Sequence, residues 1–217
     1  MLSILDIIED TTVDGPGFRT AIYAAGCPNR CPGCHNPESW DIERGHWMST
    51  DEILEKVLAD DFADVTFSGG DPMYQPEGFA ELACAIKEKS GKNIWCYTGY
   101  TFETLLRNPL QAKLLQYIDV LVDGKFKQEL RDESLCFRGS KNQRLIDVQA
   151  SLHTEEVVAY NYTSYRLIIS KHKEVLLMHL LPCPPPQKFP QLYLASLFCF
   201  LKKPYLCGAF QEQIILG

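Results

Sequence analysis

Three cysteines lie within a short stretch near the N-terminus. Cys27, Cys31 and Cys34 have C-x3-C-x2-C spacing, and no fourth cysteine lies nearby. A [4Fe–4S] cluster takes four ligands, so three thiolates leave one iron open to an outside molecule. An open iron is what a cluster requires to bind S-adenosylmethionine and cleave it reductively. The spacing therefore predicts radical chemistry.

Zinc is the main alternative for the same residues. His35 directly follows Cys34, so a Cys3His zinc site in an interaction module is also compatible with the sequence. A disulfide is disfavoured because the N-terminus lacks the basic region of a signal peptide, and we therefore expect a cytoplasmic protein with reduced thiols.

Apolar runs alternate between strand-like and helix-like patterns along the chain. Helices are expected after Ser49, where Glu52 completes a capping box, over 77–89, and over 102–117 with a break at Pro109. Strands are expected over residues 3–8, 20–25, 65–67, 93–98 and 118–122. This alternation indicates βαβ units and a parallel sheet.

Several turns follow the predicted parallel strands directly. They are the cysteine loop, the Gly69-Gly70-Asp71-Pro72 turn, the Thr98-Gly99 turn and the Asp123-Gly124 turn. Ligands of parallel α/β sheets gather at the carboxyl ends of the strands. We therefore expect these turns to form one site.

Size and charge exclude some classes of function. The chain has 217 residues, 46% of them hydrophobic, and a formal net charge of −7. The acidic balance argues against a nucleic-acid partner. No apolar run is long enough for a membrane span.

The C-terminal part differs in composition from the rest. Residues 163–217 are rich in proline and leucine, and their cysteines are too irregularly spaced to predict a second cluster. We expect one α/β domain over residues 1–162, followed by an irregular, poorly ordered extension.

Four stretches carry a resemblance to a known family. They are Cys31-Pro-Gly-Cys34, Trp95–Tyr100, Val120–Phe126 and Phe137–Gln143. With Asp14-Gly-Pro-Gly17 and Ser68–Pro72, these stretches resemble the radical S-adenosylmethionine glycyl-radical activases. The similarity is closer to the activating proteins of anaerobic ribonucleoside-triphosphate reductase, and it covers roughly residues 1–162 in order.

The resemblance implies a specific reaction. A [4Fe–4S] cluster would cleave S-adenosylmethionine to methionine and a 5′-deoxyadenosyl radical, which takes a hydrogen atom from a glycine of the partner. The implied partners are the glycyl-radical subunit of anaerobic ribonucleoside-triphosphate reductase and a flavodoxin-like electron donor. The implied fold is an incomplete (β/α) barrel of the radical S-adenosylmethionine type, since about five αβ units cannot close an eight-stranded barrel.

The resemblance also implies roles for individual residues. Cys27, Cys31 and Cys34 would ligate three irons, and no side chain is required as a general acid or base. The cofactor would lie against residues of the cysteine loop and of the turn after the third predicted strand, namely Gly33, Cys34, His35, Gly69, Gly70 and Asp71. Without the cysteines, the second group would be more typical of a plain strand-to-helix connection.

Other interpretations remain open from the sequence. The protein could activate a different glycyl-radical enzyme, such as a formate-lyase, or act as a radical enzyme on a small molecule. Asp14–Gly17 could line the entrance for the partner's glycine or form a tight turn. Arg19 could bind a carboxylate or form a surface salt bridge, and Asp123 and Lys125 could contact the cofactor or form a structural turn.

Overall fold

The computed structural model describes residues 1–162, 165–172 and 175–182. The chain divides into two compact units, Met1–Asn161 and Tyr162–Gly217. In the second unit, β8 (Tyr165–His172) pairs antiparallel with β9 (Val175–Pro182). Sequence periodicity did not assign β9. Residues 183–217, which make up most of the predicted irregular extension, lie outside the described residues.

Seven strands of the first unit form one sheet within the described residues. They are β1 (Leu2–Thr11), β2 (Arg19–Ala24), β3 (His46–Met48), β4 (Asp64–Gly69), β5 (Ile94–Tyr97), β6 (Val120–Asp123) and β7 (Arg144–Asp147), in the order β3-β1-β2-β4-β5-β6-β7. The central strands β2, β4, β5 and β6 are parallel, as the sequence predicts. The outer pairings of β1 with β2 and β3, and of β6 with β7, are antiparallel.

Five α-helices accompany this sheet in the described part of the chain. They are α1 (Thr50–Leu58), α2 (Pro76–Lys89), α3 (Phe102–Leu105), α4 (Pro109–Leu115) and α5 (Val148–Thr154). The predicted break at Pro109 is confirmed, because Asn108 caps the N-terminus of α4. None of the described helices combines the length and hydropathy that a bilayer crossing requires. The first unit is thus a mixed α/β fold.

The start of α1 follows directly from its sequence. Ser49 Oγ accepts the Glu52 N–H at 3.2 Å, and the Glu52 carboxylate accepts the Ser49 N–H at 2.7 Å. This capping box satisfies N–H groups that the helix itself leaves free. The helix then buries Ile53, Leu54 and Val57 against the sheet.

The two faces of the sheet bury different side chains, because successive strand residues point to opposite sides. The helix-covered face is apolar and includes Ile22, Phe67, Cys96, Leu121 and Ile146. The Phe67 ring packs against Phe79 of α2 with 4.9 Å between ring centroids. The opposite face carries a smaller cluster built on Trp95, Val120 and Val122, which no helix covers among the described residues.

Three strands and α-helices of the first unit were not expected from the sequence: β3, β7 and α5. Both strands are short and antiparallel to their neighbours. The helix α5 begins at Asp147, whose carboxylate accepts the Ala150 N–H at 3.0 Å. Short strands offer too few residues for alternation to be recognised.

Candidate metal centre

The cysteine loop and the turn after β4 are joined by backbone hydrogen bonds. The Gly70 N–H donates to the Ala24 carbonyl at 2.7 Å, and the Asp71 N–H donates to the Gly26 carbonyl at 2.9 Å. A Cβ at Gly70 would lie 2.5 Å from the Gly26 carbonyl oxygen. Only glycine therefore allows the Gly69-Gly70 turn to approach the cysteine loop this closely.

Asp71 connects this turn to the end of β5. Its side chain is fully buried, and its carboxylate accepts bonds from Met73 N (3.1 Å), Thr98 Oγ1 (2.8 Å), Gly99 N (3.0 Å) and Asn29 Nδ2 (2.9 Å). Burial raises the pKa of Asp71 to about 6, although the four donors favour the ionised form. The Asp71 carboxylate thus connects three of the four turns expected to form one site, namely the cysteine loop, its own turn and the Thr98-Gly99 turn.

The three cysteines of the loop are free thiols of intermediate exposure. Burial raises the pKa of the Cys27 and Cys31 thiols. Hydrogen bonds from backbone N–H groups oppose this rise in pKa. The N–H groups of Asn29 and Arg30 act on Cys27, and that of Phe126 acts on Cys31. The Asn36 N–H donates to Cys34 Sγ at 3.5 Å. N–H groups near sulfur stabilise thiolates, the form that binds metal.

This donor set fits an iron–sulfur cluster. It consists of three soft sulfur ligands on one loop, each with a backbone N–H partner. Iron–sulfur clusters regularly accept hydrogen bonds at the sulfurs that bind them. In the part of the chain that the structure describes, no group of three or more His, Cys, Asp or Glu side chains is arranged around a single-ion site.

A second segment packs on the cysteine loop from the end of β6. A Cβ at Gly33, whose φ is +72°, would lie 2.8 Å from Gln128 Oε1. The exposed His35 ring meets the Phe126 ring edge-on, with 6.1 Å between centroids. The sequence did not predict a site role for Phe126 or Gln128, because they lie far from the cysteines along the chain and no local pattern relates them.

A cavity of about 650 Å³ lies beside this loop. Asn29 of the cysteine loop lines it, together with residues of the turns after β5 and β6 that include Gly99, Tyr100, Gly124, Lys125 and Lys127. Glu103, Asp123 and Arg144 also line it, so charges of both signs face the cavity. The three cysteines and the six expected cofactor contacts are not among the lining residues. Pockets of this size hold small-molecule ligands and cofactors.

Asp123 and Lys125 have different environments. Asp123 is only 1% exposed, and its carboxylate accepts the Phe102 N–H at 2.8 Å and the Arg144 Nε–H at 2.9 Å. These bonds favour the structural-turn interpretation for Asp123, although Asp123 and Lys125 both line the cavity. Arg144 also binds both carboxylate oxygens of Glu103, which lowers the pKa of Glu103 to about 2.

Arg19 is buried, so it does not have the surface position that the salt-bridge alternative assumes. Its side chain is 1% exposed and donates to Thr66 Oγ1 at 2.6 Å and to the Val65 carbonyl at 2.5 Å. The guanidinium lies 5.5 Å from the ring centroid of Trp95. Its carboxylate neighbour, Asp64, lies at 3.9 Å.

The Asp14–Gly17 loop is anchored on the face of the sheet opposite the helices. Asp14 Oδ2 accepts the Tyr23 hydroxyl at 2.8 Å and the Thr11 hydroxyl at 2.9 Å. The Asp14 carbonyl accepts the Thr66 hydroxyl at 2.8 Å. Burial raises the pKa of Tyr23 above its ordinary value. The loop is therefore an ordered turn, which is compatible with both interpretations of its sequence.

Comparison with known proteins identifies a family. The model of a 4Fe-4S single cluster domain matches residues 13–146. An activating protein of anaerobic ribonucleoside-triphosphate reductase from Vibrio cholerae is 41% identical over 140 residues, which cover 60% of this chain and 88% of that protein.

Proteins of the same name from other organisms give similar results. The Escherichia coli protein is 37% identical over 142 residues, which cover 60% of this chain and 89% of that protein. The Haemophilus influenzae protein is 36% identical over 152 residues, which cover 65% of this chain and 96% of that protein. Together with the free thiols of the cysteine loop, these similarities confirm the expected family: the chain belongs to the anaerobic ribonucleoside-triphosphate reductase-activating proteins.

Proposed function

We propose that this protein is a radical S-adenosylmethionine oxidoreductase that forms a glycyl radical on anaerobic ribonucleoside-triphosphate reductase. The observation that carries the proposal is the set of three free thiols on one loop, beside a cavity at the carboxyl ends of parallel strands. When bound, the [4Fe–4S] cluster and S-adenosylmethionine would supply the 5′-deoxyadenosyl radical that removes a hydrogen atom from the partner's glycine.

The residues of the cysteine loop would hold the metal. Cys27, Cys31 and Cys34 would ligate three irons and leave the fourth for the cofactor. Backbone N–H groups at the sulfurs would stabilise the thiolates and raise the reduction potential of the cluster. Support comes from the match of residues 13–146 to a 4Fe-4S single cluster domain.

S-adenosylmethionine would bind against the backbone of the cysteine loop and of the turn after β4. The proposed contacts are Gly33, Cys34 and His35 on one side, and Gly69, Gly70 and Asp71 on the other. Because the Asp71 carboxylate is fully buried and bonded to four protein donors, this residue would act through its peptide groups and its effect on neighbours. Lys125 and Lys127 would place positive charge in the cavity.

The fold proposed for this chemistry is an incomplete (β/α) barrel. Two features support it: the parallel order β2-β4-β5-β6, and helices packed on one face of the sheet in the described residues. The partner's glycine segment would enter at the edge of the opposite face, beside the buried Trp95 cluster, and exclude water during the reaction. Asp14–Gly17, anchored through Thr66 and Tyr23, would border that entrance.

The electron donor is proposed to be flavodoxin-like, since the cluster needs one-electron reduction before each cleavage. A cytoplasmic location stays a prediction. Activation of a formate-lyase is the second candidate function, and a zinc-binding module is the third. The relatives are named as activating proteins of anaerobic ribonucleoside-triphosphate reductase. We extend this activity to the present chain, in preference to the other two candidates.

A direct test uses the reconstituted protein with the glycyl-radical subunit of the reductase. We expect a glycyl-radical EPR doublet after anaerobic incubation with S-adenosylmethionine and a reductant, with 5′-deoxyadenosine formed in proportion. Cys31→Ala should give neither product. A doublet on a formate-lyase alone would favour the second candidate, and cofactor cleavage without any protein radical would contradict glycyl-radical activation.

A further inference from the structure

Asn29 connects the cysteine loop to the turn after β4. Its Nδ2 donates to Asp71 Oδ2 at 2.9 Å. Asn29 lies two residues after Cys27, one of the proposed iron ligands. Its amide therefore ties the segment that carries Cys27 to a buried carboxylate.

The position of the Asp71 carboxylate does not depend on Asn29. Three other donors fix it: the Met73 N–H at 3.1 Å, the Thr98 hydroxyl at 2.8 Å and the Gly99 N–H at 3.0 Å. All three belong to turns that follow β4 or β5. The sheet therefore determines where this acceptor lies, and the cysteine loop meets it through Asn29.

Gly99 provides the space that the Asn29 side chain occupies. A Cβ at this position would lie 2.7 Å from Asn29 Cγ, and its three nearest atoms all belong to Asn29. The φ of Gly99 lies outside the left-handed region, so the backbone itself accepts alanine. The absence of a side chain at Gly99 is thus explained by the contact between Asn29 and Asp71.

We propose that Asn29 is a positioning residue for Cys27, held by Asp71 and accommodated by Gly99. This contact orders the cysteine loop, and with it Cys27, before the cluster binds. Residues that hold metal ligands in place orient the ligands and tune the metal. The proposal rests on the proposed function, since it assigns Cys27 to the iron.

The first test uses the full chain without metal. Alkylation of each cysteine is followed by mass spectrometry in wild type, Gly99→Ala and Asn29→Ala. Both variants should raise the alkylation rate of Cys27 by about tenfold, the factor that a hydrogen bond to a charged acceptor contributes. The rate at the exposed Cys136 should not change, which provides an internal control.

Asn108→Ala is the matched control variant. It removes an Asn side-chain bond of similar length, 3.0 Å to the Leu110 N–H, at the start of α4. It should leave Cys27 alkylation unchanged. Wild-type alkylation rates in Gly99→Ala and Asn29→Ala would overturn the positioning role, and so would an equal increase in Asn108→Ala.

The second test uses the reconstituted protein. Gly99→Ala and Asn29→Ala should shift the midpoint potential and the EPR g values of the cluster, whereas Asn108→Ala should not. Unshifted values in both variants would overturn the tuning of the ligand. If the wild-type chain assembles no cluster, the proposed function fails, and the alkylation rates still decide whether Asn29 orders the loop.

Discussion

The helix-covered core and the cysteine loop are organised in opposite ways. In the core, Phe67, Phe79 and Cys96 are fully buried and packed on all sides. In the loop, the prolines are exposed and the thiols are half-buried, and the contacts to the sheet are individual hydrogen bonds. Fold stability and cluster chemistry therefore depend on different residues, so substitutions should affect them separately.

The largest loss of stability is expected in the core. Phe67→Ala removes a fully buried ring that packs on Phe79 and should lower the free energy of unfolding by about 3–5 kcal/mol. Chemical denaturation measures this loss. Phe62→Ala, at a position 93% exposed, is the control and should change stability by less than about 0.5 kcal/mol. Similar losses in both variants would contradict the assignment of the core.

The buried Arg19 side chain should also contribute to stability. Arg19→Met leaves the Val65 carbonyl and the Thr66 hydroxyl without their buried donor and should lower the free energy of unfolding by about 3 kcal/mol. Thermal and denaturant unfolding would measure it. Arg131→Met is the matched control, because the Arg131 side chain is 51% exposed and pairs with the exposed Glu133. A stabilised Arg19→Met protein would show that packing at this position outweighs the hydrogen bonds.

Asp71 should make stability depend on pH. Its folded pKa of about 6 lies above the ordinary 3.8, so the folded state binds the extra proton in this window. The resulting stabilisation of the folded state is fully present below about pH 4 and is lost as the pH rises through 6. The free energy of unfolding should fall by up to about 3 kcal/mol over this range. The difference in unfolding free energy between wild type and Asp71→Asn should therefore fall between pH 4 and 7. A flat or rising difference would contradict the raised pKa.

A smaller effect is expected at the start of α1. Ser49→Ala removes the side chain that accepts the Glu52 N–H, and should cost about 1 kcal/mol. Ser134→Ala is a control in an exposed turn, where the hydroxyl contacts only Asp132. Equal unfolding free energies for wild type and Ser49→Ala would mean that α1 is stabilised by its buried face alone.

The smallest effect on stability is expected in the cysteine loop itself. Cys31→Ala replaces a partly exposed thiol and should change the unfolding free energy of the metal-free protein by less than about 0.5 kcal/mol. The same variant should lose the ability to bind the cluster. A large loss of stability without metal would show that the loop contributes to the fold and would remove the contrast with the core.

The sequence predicts the parts of the molecule that repeat a local rule. Short apolar runs that alternate with helical segments predict the parallel strands, and the Ser49/Glu52 pair predicts the start of α1. The cysteine spacing predicts which residues could hold a cluster. Each of these signals lies within a few residues along the chain.

The remaining features depend on partners that are distant in sequence. Asn29 meets Asp71 across 42 residues, Arg19 meets Thr66 across 47, and Arg144 meets Glu103 across 41. No local pattern identifies such pairs, so the burial of Arg19 and the bonds of Asp71 were not predicted. The short strands β3 and β7 depend likewise on their neighbours in the sheet.

The most direct test of the account is EPR spectroscopy of the anaerobically reconstituted and reduced protein, before and after addition of S-adenosylmethionine. The account predicts a [4Fe–4S]⁺ signal that changes when the cofactor is added and that is absent in Cys31→Ala. Tightly bound zinc without a cofactor response would contradict the open-iron site and favour the interaction module.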